Sequence, residues 1–539
     1  MKKQDSNAQL QDETPPFDVL FLVRDEYHLQ ELVSLICHRQ AEKTIAVLAT
    51  GIPIARVKKE LLSFDKDCHV WEQYQHTTPK RIVYSLDSIA QSHLSWQTIA
   101  NCLTQMHYFL SKFRPSVIIH SLPISDPLSK CLPSESEGTT IIRLPPRDAQ
   151  HATWLMELPL HNLKQWHKFK IQLVVTTDRN AYGLTRLVRS ANRAHYLGDT
   201  VSLTVLMDQT SDRVTQQFAS TFAWEHGDKH VRHRIVKLNR MPVFVEAWYP
   251  QNNYDDYAIL LHDDLDVSEL FYVWAKQAVL RYRYGELRRS HLERSIMGIS
   301  LYSPQVIDTS HTERRRLTLT PSTTHPFLMQ LVTNGGMLFF PEHWREFHHY
   351  VTARYADIHK KQLQLIEIPD ARSANWTNSW RRYLDELIYL RGYVFLYPNL
   401  RGGQDSFSSQ YLDLHVDHVA SLGDDTAHEE NTNISTIKSL FQVPLIREKD
   451  MPTALLTPSV EHLSVLDMWA NPSTYAQLHE TALAFQSKVS ACPSSDQLLY
   501  EPSDLLCPFA RLVDIPAQDA TADALPTRVA TLFVPRPTN

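Results

Sequence analysis

Short apolar runs recur along the chain, separated by stretches whose apolar positions follow a helical period. "FDVLFLV" (17–23), "TIAVLAT" (44–50) and "SVIIHSL" (116–122) read as short apolar strands, with helical segments between them. That alternation predicts a small α/β domain with a parallel sheet over residues 17–150. A second alternation begins near residue 167. "KIQLVVTT" (170–177) is followed by a helical pattern through Leu184, Leu187, Val188 and Ala191, and then by "VSLTVLMD" (201–208). "YAILL" (257–261) is a later strand, and "MLFF" (337–340) is another, stopped by Pro341 where a helix can begin. This order predicts an open, mostly parallel sheet over 167–418.

In such sheets ligands bind at the carboxyl ends of the strands. Asp178 and Arg179, Asp208, and the run His262, Asp263, Asp264, Asp266 all fall at those ends. The polar residues 1–16 read as a disordered tail and 421–433 as a linker or long loop. The proline-rich stretch 434–539, with weak periodicity, reads as a C-terminal extension.

Composition narrows the function classes. A chain of 539 residues holds more than one core, and a net charge of −6 gives no footing for a polyanion partner, so nucleic acid is not expected. With 13 glycines against 30 prolines, many turns must rely on Asn, Asp, Ser and Pro. The six cysteines are scattered without a CxxC pair, which argues against a zinc site and leaves the redox compartment open. No stretch approaches the roughly 18 apolar residues of a membrane span, and the first residues lack a signal-peptide core. A membrane anchor is therefore not expected within this chain.

Two adjacent carboxylates after a buried strand need a cation or hydrogen-bond donors. A hard divalent metal, Mg²⁺ or Mn²⁺, takes oxygen ligands and characteristically shares its shell between protein carboxylates and substrate phosphates. The alternative is helix capping, with Ser268 as the N-cap of a helix over 269–284 and the acids near its positive end.

Five segments in order carry a resemblance. They are "VVTTDRNAYGLTRLVRSANRAHYLGDTVSLTVLMDQTSD" (174–212), "LLHDDLDVSELFYVW" (260–274), "GISLYSP" (298–304), "FFPEHWREF" (339–347) and "SWRRYLDELIYLRGYVFLYPN" (379–399). The chain resembles GT-A-fold glycosyltransferases, close to the eukaryotic family 2-like group and related to N-acetylglucosaminyltransferase I. The resemblance implies a Rossmann-like nucleotide-diphospho-sugar transferase domain, preceded here by the small α/β domain. It implies a UDP-sugar donor, UDP-N-acetylglucosamine first among them, and a Golgi or secretory setting. The acceptor, whether glycan, protein or lipid, is not specified. It matches Asp208 to the reader of the uracil, and Arg179, with Asp178 beside it, to the nucleotide. Asp263 is expected toward the ribose, Asp264 at the Mn²⁺, and His415 near the diphosphate.

Two departures qualify the match. The family's acidic triplet usually begins with Glu, where this chain has His262, which would touch the sugar. Inverting transfer also needs a carboxylate to take the acceptor's proton. Asp385 and Glu386 are the candidates, both off the apolar stripe Trp380, Tyr383, Leu384, Leu387, Ile388, with Glu386 matching the family 2-like pattern. The alternative pairs them with Arg381 and Arg382 as i,i+4 surface ion pairs. Two function classes follow: a metal-dependent inverting transferase, or a nucleotide-sugar-binding scaffold that has lost transfer. A nucleotidyltransferase is disfavoured, because "TTDRNAYG" is a poor phosphate loop.

Overall fold

The computed structural model describes residues 17–38, 43–68, 81–85, 96–132, 138–237, 240–285, 294–310, most of 315–411, then 441–451, 459–490 and 505–506. They fall into two units, Met1–His167 and Lys168–Asn539.

The first unit is built on five parallel strands. Its elements are β1 (Val19–Val23), α1 (Glu26–Ile36), β2 (Ile45–Ala49), α2 (Ile54–Phe64), β3 (Arg81–Ser85), α3 (Trp96–Phe113), β4 (Val117–His120) and β5 (Thr140–Arg143), then the short helices α4 (Pro146–Ala149) and α5 (Leu160–Leu163). The strand order is β3-β2-β1-β4-β5. β1, β2 and β4 are buried on both faces, as their unbroken apolar runs require. Leu20, Leu22 and Ile118 pack against Phe109 and Phe113 of α3. Cys37, at the end of α1, is joined by a disulfide to Cys68, 31 residues away.

The second unit holds a ten-stranded sheet. Its chain order is β6 (Lys170–Thr177), α6 (Ala181–Arg193), β7 (Leu203–Met207), α7 (Arg213–Thr221), β8 (Lys229–His233), α8 (Arg240–Val245), β9 (Asp256–His262), β10 (Leu265–Val267) and α9 (Phe271–Ala278). There follow β11 (Ile296–Ser300), β12 (Val306–Ile307), β13 (Arg315–Arg316), β14 (Phe327–Met329), β15 (Met337–Phe339), α10 (Pro341–Asp357), α11 (Trp380–Arg391), β16 (Val394–Tyr397), β17 (Ser408–Gln410), β18 (Val465–Leu466), β19 (Pro472–Ser473) and α12 (Tyr475–Val489).

The large sheet runs β19-β18-β14-β16-β11-β15-β9-β6-β7-β8. β8, β7, β6 and β9 are mutually parallel. β15 runs against both β9 and β11, so β11 and its parallel neighbour β16 point the same way as β6. The unit is therefore a Rossmann-like half sheet extended across one reversed strand, the GT-A arrangement. The charged strand β8, four of whose five side chains are exposed, closes one edge. β10 and β17 form a separate antiparallel pair beside the carboxyl end of β9.

Two expectations change. The helix expected over 269–284 begins at Phe271 and passes into a wider turn over Val279–Arg283. α11 is not striped, because Arg381 and every residue from Tyr383 to Leu390 are buried: it lies against α8, α10 and α12 as well as the sheet's core. Residues of the 434–539 stretch add β18, β19 and α12 to this unit. Among the described residues no helix is long and apolar enough to cross a membrane.

Candidate functional site

β6, β7 and β9 end side by side, which brings Asp178 and Arg179, Asp208, and His262 to Asp264 to one edge of the sheet. The strand-end backbones are tied together: Asp208 N–H donates to the Thr177 carbonyl at 3.0 Å, and Asp263 N–H to the Thr176 carbonyl at 3.2 Å. Thr210 Oγ1 donates to Asp178 Oδ1 at 2.7 Å, linking the loops after β6 and β7. Arg179 lies 3.6 Å from Asp178 Oδ2, and its side chain is exposed.

The two central acids have opposite surroundings. Asp263, expected toward the ribose, is buried at 3% exposure. Its Oδ2 accepts from Thr177 Oγ1 at 2.7 Å and from the Asp178 N–H at 3.3 Å, while Asn180 Nδ2 reaches its Oδ1 at 3.5 Å. Burial works against the charged form, but His262 and these donors outweigh it and hold the carboxyl below its ordinary value. Asn180 also caps α6 by accepting from Gly183 N–H. A Cβ at Gly183 would stand 2.2 Å from the Asp263 carbonyl oxygen, so a glycine is what lets the helix reach the acidic turn.

Asp264 is the more open acid. Its Oδ2 accepts from Gln410 Nε2 at 2.8 Å, and its carbonyl accepts from Tyr411 N–H at 2.7 Å. His262, half exposed, places Nδ1 3.1 Å from a carboxylate oxygen of each acid. Desolvation opposes its protonation, yet the two carboxylates prevail and raise the imidazole well above its ordinary value. Its ring thus stands between the two acids.

Helix capping does not account for the acids. β10 intervenes before α9, the cap position is Leu270, and Ser268 Oγ instead donates to the Ile446 carbonyl and accepts from Leu270 N–H.

Asp385 and Glu386 are both buried rather than solvated. Glu386 is drawn into the α10–α11 interface. It accepts from Tyr350 Oη at 2.8 Å and faces Arg354 at 3.3 Å and Arg382 at 3.4 Å. Asp385 has neither carboxylate oxygen in a regular hydrogen bond. Burial pushes it up to about 7, against the pull of Arg381. Arg381 is instead paired twice with Asp308, at 2.8 and 3.1 Å. Asp308 and Asp385 both act electrostatically on Tyr397, the last residue of β16, a strand that points the same way as β6 and β9. His415 lies outside the described residues.

Thr177, Asn180, Gly183 and Gln410 went unnoticed in the sequence. The first three lie inside the segment that carried the resemblance. Gln410 becomes visible only through the pairing of β10 with β17.

A protein-family model described as the SPBC1E8.03c C-terminal domain matches residues 182–360, from within α6 to just past α10. No curated protein matches the chain. Among solved structures, the chain is similar to S. aureus TarS 1-349 at 10% identity and TM-score 0.27, over 45% of this chain and 60% of that one. It is similar to the galactosyltransferase LgtC in complex with donor and acceptor sugar analogs, at 13% identity and TM-score 0.23, over 60% and 98%. It is also similar to the mannosyltransferase PcManGT from Pyrobaculum calidifontis in complex with GDP-Man and Mn²⁺, at 11% identity and TM-score 0.23, over 64% and 86%. The chain spans between 19% and 60% of the length of the TarS structures it matches. These scores are low, and strand order and direction define the fold here.

Proposed function

We propose that the second unit is a glycosyltransferase that moves a sugar from a UDP-sugar to an acceptor hydroxyl with inversion. The observation that carries this reading is the division of labour after β9. Asp263 is consumed in holding the strand ends together, while Asp264 stays partly open on the edge it shares with Asp178, Arg179 and Asp208. A partly exposed carboxylate at that edge suits Mg²⁺ or Mn²⁺, which completes its shell from phosphates and water. Asp264 would hold the ion, and bound there it would offset the charge of the departing diphosphate. Asp208 would accept from the uracil N3–H, and Arg179 would face the phosphates.

In the transfer step the acceptor oxygen bonds to the anomeric carbon as the bond to the diphosphate breaks, and UDP leaves with the electron pair. The acceptor's proton passes to a carboxylate. Asp385 suits that role better than Glu386. A proton acceptor near neutrality is the effective one, and Asp385 is pushed up to about 7. Glu386 is already engaged by two guanidinium groups and a phenol.

Calorimetry of UDP with Mn²⁺ tests the site. Asp264→Asn is expected to remove the metal-dependent part of binding and leave the fold intact, and unchanged affinity would sink the metal reading. Asp208→Asn is expected to erase a preference for UDP over CDP, since cytosine N3 is an acceptor. A second reading is favoured by His262, whose ring already stands on both acids. In it the site binds nucleotide through His262 and Arg179 without metal. UDP affinity that survives chelation and Asp264→Asn would select it.

A further inference from the structure

Outside the strand-end site, α6 borders an open groove of about 510 Å³, lined by Tyr182, Arg186, Arg189, Ser190, Arg193 and, from β10, Asp266 among others. Three of its side chains are guanidinium groups and one is a carboxylate. Glu269 stands 3.8 Å from Arg193 at the far end. The arginines are three and four residues apart, so successive ones are neighbours on one face, and the row spans about 10 Å of helix.

The groove is built rather than incidental. Ser190 Oγ accepts from the Val267 N–H at 3.3 Å, fixing α6 to β10. The Arg186 guanidinium lies over the Tyr411 ring at 4.2 Å and over the Tyr182 ring at 5.8 Å. The same Tyr411 donates its N–H to the Asp264 carbonyl, and Gln410 before it holds the Asp264 carboxylate. The groove thus begins where the candidate metal-binding acid is anchored. Tyr182 is 75% exposed at its mouth and offers an aromatic face.

We infer that this groove binds a phosphate ester carried by the acceptor. Paired guanidinium groups one turn apart fit phosphate oxygens in a way that lysines or a lone arginine do not. A row longer than one phosphate suits a phosphosugar or a phosphodiester whose sugar lies over Tyr182. That the ligand is the acceptor rests on the transferase reading; the anion chemistry rests on the groove alone.

The experiment compares the full chain with the double variant Arg189→Glu, Arg193→Glu, neither residue being placed in the donor site. Calorimetry with mannose 6-phosphate and with mannose, at low and high salt, reads the groove; UDP with Mn²⁺ reads the donor site. The wild-type protein is expected to prefer the phosphosugar by roughly tenfold or more, less so at high salt, and the variant to lose that preference while keeping UDP affinity. Vesicles of phosphatidylcholine with and without phosphatidic acid separate the sources. Charge-reversal-sensitive binding to the phosphatidic acid vesicles alone supports the same groove with the phosphate on a lipid. Equal binding of mannose and its phosphate, with no vesicle binding, overturns the inference while UDP binding leaves the transferase reading standing. Selective phosphate binding without any UDP binding does the reverse. Loss of UDP affinity in the variant would give the groove to the donor, and also overturns it.

Discussion

Asp385 and Glu386 are adjacent on α11, and their neighbours make them chemically unlike. Asp385 faces Arg381, Asp308, Ser373 and Tyr397, and burial keeps its carboxyl protonated up to about 7. The unfolded chain releases the same proton near 3.8. Between those values the native state holds more protons, so this group's contribution to stability falls as pH rises from about 4 to 7 and stays lost above. Asp385→Asn removes that cost. It is expected to stabilise the protein at pH 8, by up to roughly 4 kcal/mol, and to change little at pH 4. Denaturant midpoints at the two pH values measure this. If Asp385 is the base, the same variant loses most transfer, on the order of 10²–10⁴-fold, and keeps UDP affinity. The rising limb of wild-type kcat/KM should then fall near pH 7. A stabilised variant with unchanged turnover would leave Asp385 as a buried acid without a catalytic part.

At the scale of elements, Glu386 belongs to the contact between α10 and α11. Tyr350 and Arg354 come from the first helix and Arg382 from the second. Glu386→Gln removes the carboxylate charge facing two largely buried guanidinium groups, and is expected to cost about 3 kcal/mol of stability. An exposed i,i+4 pair would cost well under about 1 kcal/mol, so a melting curve separates the two descriptions. The sequence left an exposed pair open as the alternative because a helix covered on several sides has the same charge spacing as one at the surface. Long apolar strands such as β6 and β9 were legible, since burial on both faces leaves an unbroken run. β17, β18 and β19, of two or three residues, carry no period of their own and exist through their partners. For that reason Gln410, delivered to Asp264 by β17, was invisible, while Asp178, Asp208 and Asp264 announced themselves as polar residues closing apolar runs.

At the scale of the molecule, the two units carry separate liabilities, and those of the first are its own. Its Cys37–Cys68 bridge closes a separation of 31 residues, and Cys68→Ser is expected to cost about 2–4 kcal/mol of that unit's stability. The pH response of the unit centres on His120 at the end of β4. Burial lowers this imidazole to about 4; Arg143 of β5 and His28 of α1 press the same way, and Asp126 pulls it back. Its Nδ1 accepts from the Leu122 N–H at 3.2 Å, a role open only to the neutral ring's unprotonated nitrogen. Unfolded, the ring takes its proton near 6.5. Above that value neither state is charged and the stability is complete. As pH falls from about 6.5 to 4 the unfolded chain gains a proton that the native state refuses, so stability is lost across that window, by up to about 3 kcal/mol. Thermal unfolding of the full chain at pH 7, 5.5 and 4.5 should show the first unit's transition moving down with pH. His120→Gln, which does not titrate, should flatten that slope while leaving UDP binding by the second unit unchanged. A slope that persists in the variant would move the acid sensitivity to another group of the first unit.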